Sequence, residues 1–145
     1  MVIGIMGENC SGKSTLAEAI QKTIGAQIIT GKDYLRLAKS ESEAERLFRE
    51  KLKDAMTGEN VIYVISEKEY MNFLPEGAIR IHVKADMDTI KARFKERMHG
   101  NLPVPVERML ERKHGMFDNE TYDYQFDGQA GDFSPICSAI RARVV

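Results

Sequence analysis

The feature that most constrains this chain is a glycine-bounded loop near the start of the sequence. Residues 7–14 read GENCSGKS and come directly after the apolar run of residues 2–6. The apolar residues of 16–24 recur at helical spacing, which predicts a helix that begins beside the loop. Gly7 and Gly12 permit backbone angles that other residues resist, so the loop can turn its N–H groups inward. The segment therefore predicts a strand, an anion-binding loop and a helix in succession.

The same eight residues match the full pattern G-x-x-x-x-G-K-[S/T] of phosphate-binding loops, or P-loops. The helix start adds its positive dipole end, Lys13 supplies a cation for the outer phosphates, and Ser14 offers a hydroxyl to Mg²⁺. We interpret Cys10 as a filler at an unconstrained position of the pattern rather than as an activated thiol. The expected ligand is a nucleoside triphosphate. The predicted phosphate-binding residues are Gly7, Glu8, Asn9, Cys10, Ser11, Gly12, Lys13, Ser14 and Thr15.

The composition gives no support for a nucleic-acid or membrane partner. The 145 residues include 21 basic and 22 acidic side chains, for a net charge of −1. No apolar run approaches the ~20 residues that span a bilayer. The two cysteines, Cys10 and Cys137, do not form a disulfide framework, which favours a reducing, cytoplasmic setting. The sequence leaves open whether the chain is a monomer or a homodimer.

Predicted strands and helices alternate along the chain. The strands are expected at residues 2–6, 26–30, 61–65, 78–83 and 122–126, and the helices at 14–24, over most of 31–58, at 88–98, at 106–116 and from 134 onward. Ser40 and Glu43 have the spacing of a capping box, and Asp88 is the expected N-cap of the helix that follows it. The alternation predicts a single α/β domain over 1–145, with a parallel sheet covered on both faces.

Beyond the loop, the chain resembles the nucleoside monophosphate kinase and shikimate kinase group of P-loop phosphotransferases, whose members include adenylate and guanylate kinases. Four segments carry this resemblance: residues 7–15, residues 29–36 (ITGKDYLR), residues 93–97 (RFKER), and residues 106–112 together with 121–124 (VERMLER, TYDY). The resemblance implies a three-layer P-loop NTPase fold with strand order 2-3-1-4-5. It also implies ATP- and Mg²⁺-dependent phosphoryl transfer to a nucleotide or metabolite, an acceptor-side helical segment at about 31–58, and a short lid at about 99–106.

The resemblance also implies roles for particular charged residues. Lys13, Asp33, Arg93 and Arg97 are the expected catalytic residues, because phosphoryl transfer depends on positioning and charge neutralisation. Arg93 and Arg97 lie one helical turn apart and share a face, so both can approach one phosphate. The alternative interpretation of Asp33 is a helix N-cap, and that of the arginines is a solvated helix face.

A further set of residues is expected on the acceptor side. Arg108 and Arg112 repeat the one-turn spacing of the first arginine pair, and Arg36 lies three residues after Asp33. Together they would present guanidiniums to an anionic acceptor. The predicted acceptor-binding residues are Asp33, Arg36, Arg108 and Arg112.

The end of the third predicted strand departs from that family pattern. Residues 65–69 read ISEKE, where adenylate kinase carries an aspartate followed by an arginine. Glu67 is the candidate to hold Mg²⁺ through a water molecule, alongside Ser14. Residues 31–58 also lack the small β-subdomain with which guanylate kinases read guanine. The alternative function is therefore a P-loop NTPase or nucleotide-binding regulatory protein without a phosphoryl acceptor.

Overall fold

Strands and helices alternate because short β-branched runs are separated by amphipathic segments. The computed structural model describes residues 1–144. Its elements in chain order are β1 (Val2–Met6), α1 (Lys13–Ile24), β2 (Gln27–Thr30), a first 3₁₀ helix (Asp33–Leu37), α2 (Glu41–Ala55), β3 (Val61–Ile65), a second 3₁₀ helix (Lys68–Phe73), β4 (Ile79–Lys84), α3 (Met87–Arg97), α4 (Val104–Lys113), β5 (Tyr124–Asp127) and α5 (Ser134–Arg143). Across residues 1–144, every helix is too short or too polar to traverse a lipid bilayer.

The five strands form one parallel sheet in the order β2-β3-β1-β4-β5, which confirms the predicted order. Every residue of β1 and β3 is buried, as expected for central strands covered on both faces. Ile3 of β1 lies opposite Ile62 of β3 and Ile79 of β4, which fixes the register at the centre of the sheet. The carboxyl end of β1 is therefore flanked on both sides by neighbouring strands.

Side chains of β1 alternate between two apolar cores, one on each face of the sheet. Val2 and Met6 pack in the core beneath α2, together with Phe48. Ile3 and Ile5 pack in the opposite core, beneath α1 and α5. This period-2 alternation is what a strand with two covered faces requires. The result is the three-layer α/β architecture that the sequence predicts.

The helix caps follow the predicted chemistry, with one correction. Ser40 caps α2, because its hydroxyl accepts a hydrogen bond from the Glu43 N–H at 3.2 Å. The N-cap of α3 is Asp86 rather than the predicted Asp88, and its carboxylate accepts from the Thr89 N–H at 2.7 Å. Asp88 lies within the first turn, where its charge favours the helix dipole but cannot cap the helix.

The connection between α3 and α4 is shorter than the lid predicted for about 99–106. Helix α4 begins at Val104, two residues before the predicted start at 106, so the loop comprises residues 98–103. Pro103 occupies the N-cap and Pro105 lies in the first turn. A helix start needs no N–H at these positions, so the prolines begin the helix rather than prolong the loop. The segment predicted as helical over about 31–58 consists of the first 3₁₀ helix and α2.

Replacing Ser40 with alanine tests the cap of α2. Without the hydroxyl, the Glu43 N–H loses its partner, so S40A should lower the free energy of unfolding by about 1 kcal/mol. Urea denaturation measures this change. S42A is the matched control, because Ser42 lies inside the same helix turn and caps nothing. Equal stability of S40A and S42A would contradict the assignment.

Candidate active site at the phosphate loop

The loop predicted to bind phosphate connects β1 to α1 at the carboxyl end of the central strand. Its first residue is tied to the sheet, because the Gly7 N–H donates to the Ile65 carbonyl of β3 at 3.2 Å. A Cβ atom at Gly7 would lie 2.5 Å from Ser11 Oγ and 2.7 Å from the Val83 carbonyl oxygen. Only glycine therefore lets the loop pass this close to β4.

The loop backbone turns through the left-handed region twice, at Cys10 (φ 63°) and Gly12 (φ 109°). Within residues 1–144, the N–H groups of Asn9, Gly12 and the first three residues of α1 make no hydrogen bond. The side chain of Ser11 is buried, and its hydroxyl also has no partner in that part of the chain. Unpaired donors around a concave loop at a helix start form an anion-binding site.

Lys13, the first residue of α1, is 6% exposed, and its Nζ donates to the loop's own Glu8 carbonyl at 2.7 Å. The pKa of Lys13 is lowered to about 8, chiefly by burial and also by the Arg97 guanidinium, while Cys10 and Glu8 act in the opposite direction. Arg97 therefore lies close enough to Lys13 to affect its charge. Phosphates bound in the loop would stabilise the protonated amine that burial disfavours.

The other predicted arginine of α3, Arg93, is half-buried and bonds to backbone rather than facing solvent. Its guanidinium donates to the Cys10 carbonyl at 3.1 Å and to the Gly128 carbonyl at 2.8 Å. Gly128 begins the turn after β5, and a Cβ there would lie 1.8 Å from the Ser11 carbonyl oxygen. Arg93 thus joins α3, the phosphate loop and the β5–α5 turn.

The segment that follows the C-terminal end of α4 is attached to the loop through Glu8. The Glu8 carboxylate contacts His114 Nδ1 at 2.9 Å and accepts from the Gly115 N–H at 3.1 Å. Lys113 Nζ lies 2.6 Å from the Glu67 carboxylate at the end of β3. Glu67, predicted to hold metal through water, is therefore paired with a lysine in this structure. Sequence reasoning missed His114 and Lys113, because no local pattern marks them.

Cys10 has a packing role that the sequence did not reveal. Its side chain is 5% exposed and belongs to a small apolar cluster with Ala85, Ile90 and Leu110. These residues come from the β4–α3 connection, α3 and α4. Interpreting Cys10 as an unconstrained filler was therefore wrong, since the cluster connects the loop to the pair of helices beside it.

The predicted acceptor residues do not converge on the loop. The Asp33 carboxylate accepts from the Thr30 N–H at 3.2 Å on the outer edge of β2, and Arg36 lines the same cavity of about 260 Å³. Arg108 and Arg112 are exposed and make no hydrogen bond or ion pair within residues 1–144. At about 100° per residue they lie on the face of α4 opposite the buried Leu110. Only Arg93 and Arg97 lie near the loop.

The donors available to Mg²⁺ are few. Ser14 is exposed at the second position of α1, where its hydroxyl faces no protein partner in the described chain. Residues 1–144 contain no group of three or more histidine, cysteine or carboxylate side chains arranged to hold a metal. The residues present fit a magnesium ion that is held mainly by substrate phosphates and water, with Ser14 as the protein ligand.

A cleft of about 580 Å³ opens beside the loop at the carboxyl ends of β4 and β5. Its charged side chains are Glu8, Asp86, Asp118 and Asp127 against Lys84 and His114. This acidic lining would repel a polyphosphate, so the cleft does not extend the anion-binding surface of the loop.

Several solved structures with the same architecture are small-molecule kinases. The chain superposes on a gluconokinase from Sinorhizobium meliloti with a TM-score of 0.63 and 19% identity, covering 99% of this chain and 92% of that one. It superposes on a deoxyadenosine kinase from M. mycoides solved with bound dATP (TM-score 0.58, 18% identity, 99% of each chain). It also superposes on a shikimate kinase from Aquifex aeolicus (TM-score 0.55, 17% identity, 99% and 96%). Neither a family model nor a curated protein sequence matches. The chain has the fold of the P-loop small-molecule kinases.

Replacing Gly128 with alanine tests the contact between the β5–α5 turn and the loop. The new methyl group would overlap the Ser11 carbonyl, so G128A should lower stability by about 1–3 kcal/mol and weaken triphosphate binding. Thermal denaturation and calorimetric titration with MgATP measure the two effects. A130S, in the exposed part of the same turn, is the control. Unchanged affinity in G128A would show that the contact does not shape the loop.

The low pKa of Lys13 predicts a pH-dependent affinity. Phosphates raise that pKa, so binding takes up a proton near pH 8 and above, and affinity falls as pH rises through about 8. Without ligand, the folded protein loses the Lys13 proton near pH 8, whereas the unfolded chain keeps it up to about pH 10.5. The free energy of unfolding therefore rises between about pH 8 and pH 10.5. Calorimetric titration with MgATP in buffers of different ionisation enthalpy measures the number of protons taken up on binding. Titration without proton uptake at pH 8 would contradict the assignment.

Proposed function

We propose that this protein is an ATP- and Mg²⁺-dependent phosphotransferase that acts on a small acceptor. The observation that supports this most is the loop itself, where unpaired N–H donors surround a buried lysine at the carboxyl edge of the sheet. A buried cation costs free energy unless an anion compensates it. A triphosphate chain is the anion whose length and charge suit a P-loop at a helix start.

Each residue near the loop has a role that follows from its contacts. Lys13 would leave the Glu8 carbonyl and neutralise the outer phosphates, and Arg97 would add a second positive charge. Arg93 would hold the loop in shape through Cys10 and Gly128. Magnesium, when bound, supplies charge neutralisation between the outer phosphates, with Ser14 as its protein ligand.

An acceptor role for Asp33, Arg36, Arg108 and Arg112 stays a prediction. It requires the 3₁₀ segment after β2 and the outward face of α4 to move toward the loop. Such closure is how kinases of this kind exclude water from the transferred phosphoryl group.

The second candidate is an NTPase or nucleotide-binding regulator without an acceptor. It is favoured by the ion pair between Lys113 and Glu67, the carboxylate after β3 that was predicted to position the metal. Such a protein would bind triphosphate at the same loop but transfer the phosphoryl group to water or not at all.

The variant K13M tests the shared part of both candidates. It removes the charge but keeps a long apolar side chain, so MgATP affinity should fall by about 100-fold or more while stability at neutral pH stays the same or rises. Calorimetric titration and thermal denaturation measure these effects. K22M, at the other end of α1, is the matched control.

An acceptor screen then separates the two candidates. ADP release by the unmodified protein is followed with MgATP in the presence of individual hydroxyl compounds. Stimulation by a defined compound, with one phosphorylated product per ADP, supports the phosphotransferase. ADP release that no compound stimulates supports the NTPase. Wild-type affinity in K13M would overturn both.

A further inference from the structure

A second cavity lies on the same edge of the sheet as the phosphate loop. It has a volume of about 520 Å³ and opens between the first 3₁₀ helix, the first half of α2 and the second 3₁₀ helix. These 3₁₀ helices follow the carboxyl ends of β2 and β3, whereas the loop follows β1, which pairs with β3. Adjacent strands are about 4.8 Å apart, so the carboxyl ends of β3 and β2 lie one and two strand spacings from the end of β1 that carries the loop.

Two buried tyrosines line this cavity, which we call the tyrosine cleft after them. Tyr34 and Tyr70 are 4% and 7% exposed, and their ring centroids lie 6.2 Å apart. Within residues 1–144, neither hydroxyl has a hydrogen-bond partner, although those of Tyr63, Tyr122 and Tyr124 all do. Both side chains are buried, but their hydroxyl oxygens still reach solvent, because neither is among the fully buried unpaired atoms of the described chain. The two hydroxyls are therefore available to a ligand in the cleft.

Carboxylates dominate the charge of the tyrosine cleft. Glu41, Glu45 and Glu69 line it and make no hydrogen bond or ion pair within the described chain. The pKa values of both cleft tyrosines are raised, first by burial and then by nearby acids, with Glu45 the largest of these for Tyr34 and Glu69 for Tyr70. Three unpaired acids beside two phenols suit a ligand that donates hydrogen bonds and carries positive charge.

The basic residues of the cleft do not reverse this charge. Arg49 lies in the cleft wall, where its guanidinium is 4.7 Å from the Phe73 ring centroid and donates to the Asn72 carbonyl at 2.9 Å. Lys32 is the remaining cation. Arg36, which was predicted to meet an anionic acceptor, lines the separate cavity on the outer edge of β2. Three carboxylates against Arg49 and Lys32 leave the cleft with an excess of negative charge, which disfavours a phosphate or carboxylate on the acceptor.

We propose that the acceptor is a hydroxyl compound that carries an amino group, such as an amino sugar or amino alcohol, held in the tyrosine cleft. This inference rests on the proposed phosphotransferase function. The ammonium group contacts the carboxylates and the neighbouring hydroxyls contact Tyr34 and Tyr70. A hydroxyl oxygen of the acceptor forms a bond to the γ-phosphorus of ATP, the bond from that phosphorus to the β–γ bridging oxygen breaks, ADP leaves, and the hydroxyl proton is released to water.

Three six-carbon compounds, two sugars and one open-chain sugar acid, test the charge preference. Glucosamine, glucose and gluconate differ in carrying a positive charge, no charge and a negative charge, respectively. Their binding to the full chain is measured by ligand-observed NMR without nucleotide, and MgATP binding is measured separately without sugar. Glucosamine should bind most tightly and gluconate least. Equal or tighter binding of gluconate, or no detectable binding of glucosamine, overturns the inference.

Variants locate the site without disturbing the core. E45Q combined with E69Q should weaken glucosamine binding by about tenfold and leave glucose unchanged, with E76Q in a distant turn as control. Y34F combined with Y70F keeps the aromatic packing and should weaken both sugars by about tenfold, with Y124F as control. Unchanged sugar binding in both double variants overturns the inference.

The separate titrations distinguish this inference from the proposed function. Binding of MgATP without preference among the sugars removes the tyrosine cleft as an acceptor site and leaves the nucleotide site intact. Amine-selective sugar binding without any MgATP binding overturns the phosphotransferase and shows that the cleft recognises amines on its own.

Discussion

The structure depends on a phosphate loop in which several N–H groups stay unpaired while side chains bond to two of its carbonyls. The Glu8 carbonyl accepts from Lys13 Nζ, and the Cys10 carbonyl accepts from Arg93. Cationic side chains thus donate to carbonyl groups of the loop, and the unpaired N–H groups remain available to a ligand. The cost is a buried amine and the buried, unpaired hydroxyl of Ser11. A bound polyphosphate would relieve both, so the groups that weaken the unliganded fold are those expected to contact the ligand.

The helices α3 and α4 pack together as one unit, here called the arm, that contacts this loop. Lys91 Nζ of α3 lies 2.6 Å from the Glu111 carboxylate of α4, and both helices pack on Cys10 in one small apolar cluster. The end of the arm is bonded to Glu8 and Glu67 through residues 113–115. A metal role for Glu67 therefore requires this end of the arm to move away from β3 first.

The phosphate loop and the tyrosine cleft, both at the carboxyl edge of the sheet, differ in charge. The phosphate loop gathers N–H donors, Lys13 and the two arginines of α3, so it favours anions. The tyrosine cleft, at the ends of β2 and β3, carries three unpaired carboxylates against Arg49 and Lys32, so on our proposal it would favour cations. Electrostatic forces act at longer range than contacts of shape. This difference in charge would therefore disfavour binding of the triphosphate in the cleft and of a cationic acceptor in the loop.

The sequence alone determined the features that depend on neighbouring residues. The loop of residues 7–14, the strand before it, the helix after it and the Ser40 cap all follow from local backbone chemistry; the strand order came from the family resemblance. Only the tertiary structure decided which side chains contact the loop. Arg93 reaches Cys10 across 83 residues, and His114 reaches Glu8 across 106. Side-chain contacts of this kind depend on how separate elements pack, and helical spacing constrains only which residues share a face.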